Sequence, residues 1–71
     1  MYYDLVESGK RIKALRKKNG LTQEKLAEQL GIAVNIVARI EIGNRGISID
    51  LAIELAVRFN TTLDYIFLGR E

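Results

Sequence analysis

The chain has 71 residues, 11 Lys or Arg against 9 Asp or Glu, a formal net charge of +2, 48% hydrophobic residues and neither Cys nor His. These numbers describe one small globular domain with a workable core, and they exclude disulfides, ordinary zinc sites, Cys and Ser–His nucleophiles and imidazole acid–base chemistry. No apolar run approaches the ~20 residues of a membrane span, and "MYYDLVESGKR" lacks the basic-then-apolar order of a signal peptide, so a soluble, cytoplasmic chain is expected.

Taken in chain order, periodicity and punctuation predict five helices. The first spans roughly Asp4 to Lys18, with Leu5, Ile12 and Leu15 on one face and Gly20 ending it. The second starts at Thr22, whose hydroxyl caps free backbone donors. Leu21 and Leu26 form a hydrophobic staple around that cap; Leu26, Ala27 and Leu30 face inward, and Gly31 breaks the helix. The third spans roughly Ala33 to Ile42, buries Val37 and Ile40, and stops at Gly43. After the loop "GNRGI", the fourth starts behind Ser48, with Asp50 favouring the helix dipole and Leu51, Leu55, Ala56 and Phe59 as its core face. The fifth starts behind Thr62, with Leu63, Ile66 and Phe67 pointing inward or toward a partner. Neither proline nor strand alternation interrupts the pattern, so the fold class is a compact all-α, five-helix domain.

Charge is spread unevenly. Residues 1–20 carry six basic and two acidic side chains, residues 21–47 three of each, and residues 48–71 two basic and four acidic. A basic end opposite an acidic end suits a protein that docks on a polyanion one way round; a solvated face on "GKRIKALRKKNG" explains the basic end equally well. Asp and Glu are plentiful, but no paired site follows from their spacing, and an enzyme is not expected. The sequence identifies no cofactor, no metal and no small-molecule effector.

Two helices joined through a glycine turn, with small Ala27 where they cross, describe a helix-turn-helix over about residues 22–42. In "GKRIKALRKKNGLTQEKLAEQLGI", "IVARIEIGNRGIS" and "LAIELAVRFNTTLDYIFLG" the chain resembles the Cro/Xre-type helix-turn-helix domains of phage repressors and bacterial regulators, from about Gly9 to Gly69. The resemblance implies a lambda-repressor-like domain. Its function would be sequence-specific binding of a double-stranded DNA operator in the major groove, as a transcriptional regulator and specifically a repressor. It assigns phosphate contacts to Thr22, Gln23, Asn44, Arg45 and the helix start at Ser48, and base contacts to Ala33, Val34, Asn35, Ala38 and Arg39. Arg16 and Glu41 match a pair that braces the fold.

The base-facing set is unusually apolar. Relatives tend to place Ser or Thr at the equivalent of Ala33 and polar residues at those of Ile36 and Ile42. One reading has Val34 and Ala38 packing on thymine methyl groups, Asn35 pairing with adenine, and Arg39 taking guanine or a phosphate. A second has Val34, Ile36 and Ile42 forming an exposed patch for a protein partner, as in an antitoxin or anti-repressor. A third has Ile36 or Ile42 packing on the following loop. The chain could also be the DNA-binding piece of a longer regulator. A homodimer is expected on DNA, because one reading helix covers too few base pairs. Leu63, Tyr65, Ile66, Phe67 and Leu68 of the last helix are the candidate dimer surface.

Overall fold

The computed structural model describes residues 3–70, which form five helices: α1 (Leu5–Lys18), α2 (Gln23–Leu30), α3 (Val34–Glu41), α4 (Ile49–Arg58) and α5 (Leu63–Leu68). Four of them begin where a short polar side chain can take up free amides of the first turn. Asp4 accepts from the N–H groups of Val6 and Glu7, Thr22 from Lys25, Ser48 from Leu51 and Thr62 from Tyr65. Asp4 is thus the cap of α1 and not its first residue. α3 is the exception: Ala33 occupies the cap position with no side-chain hydrogen bond to offer. The expected span of residues 33–42 shortens to 34–41, with Ala33 and Ile42 as the flanking caps. Between α2 and α3 the chain turns at Gly31, whose φ of 69° suits a residue without Cβ.

The core is built from all five helices. Ile12, Leu26, Ala27, Val37, Ile40, Leu55 and Ile66 are buried in one cluster, and Leu15, Leu30, Ile36, Leu51 and Phe59 pack around it. Burying a side chain of this kind contributes roughly 1.5–3 kcal/mol. Ala52, with no exposed surface, was not legible as core. Leu5 corrects the expectation in the other direction. It lies in the first turn of α1, beyond the reach of the cluster, and is 38% exposed.

Two contacts of α1 set the frame for everything else. Gly9 lets it press against the C-terminal end of α3: a Cβ there would collide with the carbonyl oxygen of Ile40 and stand 2.7 Å from that of Glu41. On its other side α1 holds the end of α5. Ser8 Oγ donates to the Ile66 carbonyl at 2.7 Å, Arg11 Nε to the same oxygen at 3.2 Å, and Arg11 Nη2 to the Phe67 carbonyl at 3.0 Å. These are carbonyls that a helix terminus leaves without intrahelical partners.

Candidate nucleic-acid interface

α2 and α3 pack through Leu26, Ala27 and Val37, all nearly inaccessible to solvent. Ala27 keeps the crossing close, and Ile32 N–H returns to the Ala27 carbonyl at 3.0 Å to finish the turn. With Val37 and Ile40 turned inward, the opposite face of α3 is left to solvent. Asn35 and Arg39 are exposed there, Ala33 stands at the exposed helix start, and Ala38 is half-buried between them. Val34 is 42% and Ile42 65% exposed. Ile36 packs against the core cluster, so the apolar patch expected from Val34, Ile36 and Ile42 lacks its central member.

Beneath this face lies a buried ionic network. Arg16 Nε donates to Glu41 Oε2 at 2.7 Å and Arg16 Nη2 to Glu41 Oε1 at 3.0 Å, a bidentate pair. Arg16 Nη1 reaches the Leu21 carbonyl at 2.8 Å, ahead of α2. Gln23 Nε2 donates to Glu41 Oε1 at 3.0 Å. The side chains of Arg16 and Glu41 are 8% and 1% exposed. Hydrogen bonding to Glu41 raises the Arg16 pKa above its ordinary value against the opposing effect of burial. Three residues singled out from the sequence therefore meet at one point. The resemblance paired two of them and gave Gln23 the tasks of gripping a phosphate and buttressing the third helix; its bond to Glu41 ties the start of α2 to the end of α3, in keeping with the second task.

The remaining candidates line the rim. Thr22 and Ser48 are exposed at the starts of α2 and α4, each hydroxyl accepting from its own helix. Asn44 and Arg45 are exposed on the loop between α3 and α4. Little in the sequence marks Tyr3. Its hydroxyl accepts from Ile47 N–H at 3.3 Å, and its ring meets Phe67 edge to face with centroids 4.7 Å apart. Only an aromatic residue just before the first cap could have hinted at this.

The dimer candidates divide. Ile66 is removed from that surface because it is wholly buried within its own monomer. Leu63, Tyr65 and Phe67 are half-buried, and Leu68 is 40% exposed. A larger apolar strip lies on α4, where Ile49, Ile53 and Val57 recur every fourth residue and are 61%, 46% and 76% exposed. Among the described residues no cluster of His, Cys, Asp and Glu could hold a metal ion, and no helix is long and apolar enough to cross a membrane.

Comparison with known proteins places this geometry in a family. The model for the helix-turn-helix family matches residues 12–66. The chain is 57% identical over 37 residues to the uncharacterized HTH-type transcriptional regulator YazB of Bacillus subtilis, a stretch that is 52% of this chain and 54% of YazB. It is 33% identical over 66 residues to the competence pilus inhibition repressor of Acinetobacter baylyi, covering 93% of this chain and 60% of that protein. The chain thus spans little more than half the length of these two curated relatives. Among solved structures, the restriction-modification controller protein C.AhdI of Aeromonas hydrophila superposes with a TM-score of 0.79 at 34% identity, covering 90% of this chain and 97% of that one.

Proposed function

The chain belongs to the Cro/Xre-type helix-turn-helix family, and from that premise we propose that it binds double-stranded DNA sequence-specifically and represses transcription by occupying an operator. One observation carries the reading: the exposed face of α3, bearing Asn35 and Arg39, sits on a helix pair whose relative position is fixed by the buried Arg16–Glu41–Gln23 network. A reading helix must be held rigidly, since a shift of a fraction of an ångström misaligns its hydrogen bonds with base edges.

On this reading, α3 enters the major groove. Asn35 pairs bidentately with adenine, Arg39 takes guanine or a phosphate, and Val34 and Ala38 pack on thymine methyls with Ala33 at the groove wall. Thr22, Gln23, Asn44, Arg45 and the α4 start at Ser48 grip the phosphates on either side, and fix register without reading sequence. Repression needs no further machinery, because occupancy alone excludes other proteins from the same DNA. Two copies bind a two-fold site, meeting through Leu68 with Leu63, Tyr65 and Phe67 of α5 and the neighbouring strip of α4. The protein works in the cytoplasm, on the nucleoid. The alternative is a protein partner of the antitoxin or anti-repressor kind, seated on the exposed Val34 and Ile42 of the α3 face in place of duplex DNA.

Selection of duplexes from a random library, with salt varied, tests the proposal. A recurrent motif and a log–log salt slope of about −0.9 per neutralised phosphate are expected. An absence of duplex binding even at low salt refutes it.

A further inference from the structure

Tyr3 precedes α1 and lies outside the stretch that matches the family, residues 12–66. Residues this near a terminus ordinarily fray unless something ties them down. Tyr3 is tied at both parts of its side chain. The ring meets Phe67 of α5 at 65°, an edge-to-face contact. The hydroxyl oxygen accepts from Ile47 N–H, 44 positions away in sequence. A Cβ on Gly46 would stand 3.1 Å from the same oxygen, so the hydroxyl lies directly over the loop backbone. No other amide from Arg45 to Ser48 has a hydrogen-bond partner among the described residues.

The loop held in this way is the one that carries Asn44 and Arg45. We propose that Tyr3 is a positioning residue for DNA binding: by holding Ile47 N–H against a ring anchored on α5, it fixes where Asn44 and Arg45 stand relative to α3. The phosphate contact and the base contacts then form in one register, and the loop need not be ordered at the moment of binding. The inference rests on the DNA-binding reading above and extends it to a residue that contacts no DNA itself.

Tyr3→Phe tests this, since it keeps the ring and removes the acceptor. On the duplex selected by the wild-type chain, the variant is expected to bind about three- to tenfold more weakly, the range one net hydrogen bond allows. Its salt slope should fall by about one phosphate. In an Arg45→Ala background the same change should cost clearly less, because one of the two contacts it positions is already gone. An equal cost in both backgrounds, or none in the wild type, overturns the proposal. Hydrogen exchange of the free chain provides a second reading that needs no DNA. Tyr3→Phe should speed exchange at the Ile47 amide and leave α2 and α3 unchanged; an unaltered Ile47 rate also overturns it. Should the wild-type chain fail to bind duplex at low salt, the DNA reading is what falls, and the exchange rates still decide whether Tyr3 holds the loop.

Discussion

Gly9 shows how much can depend on the absence of one methyl group. The atoms that a Cβ would meet are backbone carbonyls at the end of α3, which cannot swing aside as a side chain can. Gly9→Ala is therefore expected to cost about 3 kcal/mol, the upper end of ordinary overpacking, even though alanine favours the helix; chemical denaturation measures it. For the Arg16–Glu41 pair, Arg16→Ala and Glu41→Ala should each cost about 3–5 kcal/mol, because each strands a buried charge. The double variant should lose clearly less than the two together, and simple additivity would mean the pair is not coupled. The raised Arg16 pKa gives stability that is present below the guanidinium's ordinary value and lost only as pH rises through the folded one. That window lies far above neutrality, so a denaturation midpoint that changed around pH 7 could not be assigned to this residue. At the interface, Arg45→Ala should weaken binding evenly across sequences. Asn35→Ala should relax one base pair, by about 1–3 kcal/mol. Competition among duplex variants separates the two. The pairing of Arg16 with Glu41 was legible only through family resemblance. Ser8, Arg11 and Tyr3 were not legible at all, since their partners lie 58, 55 and 44 positions away and nothing local announces them.

At the level of elements, α3 begins without the cap that the other four helices have. Ala33→Ser should supply it and stabilise the domain by about 0.5–2 kcal/mol, measured as a rise in the denaturation midpoint. If Ala33 also lies against DNA, the same change should shift base preference where the helix start enters the groove. The helices themselves were readable because their signals are local: Thr22, Ser48 and Thr62 as caps, Gly20 as a left-handed stop, Gly31 as a break, and apolar residues three and four apart. The faces of α4 were not. "IDLAIELAV" is apolar nearly all round, so periodicity could name Leu51, Leu55 and Ala56 as core. It could not decide that Ala52 is buried while Ile49, Ile53 and Val57 face solvent. In α5 the same ambiguity made Ile66 a candidate for a partner surface, whereas packing against α1 and α4 consumes it.

For the whole molecule, the expected assembly is two copies on a two-fold site with half-sites about one helical turn apart. The apolar strip on α4 and Leu68 are modest in area beside the ~800 Å² per partner of a standard interface. A largely monomeric free chain that pairs on DNA is expected, since a shared duplex raises the effective concentration of the second copy. Sedimentation of the chain alone and with a palindromic duplex should give one copy and two copies respectively. Val57→Glu, at a position 76% exposed and so harmless to the core, should abolish cooperative loading and leave single half-site binding intact. One copy per palindrome at saturation for the wild type would rule out the pairing.

The tie between α1 and the carbonyls of Ile66 and Phe67 has a consequence for how the protein is made. By the time Glu41 leaves the ribosome, both helices of the reading unit have been synthesised. The face of α1 that will meet α5 is still uncovered, and it stays so through the twenty-six residues from Ile42 to Phe67. At about 5–20 residues per second, that is an interval of roughly one to five seconds. During it Ser8 and Arg11 have no partners, and the apolar residues that Ile66 will cover are exposed to water. A nascent chain stalled before Phe67 emerges should therefore carry the complete reading helix and still fail to hold DNA.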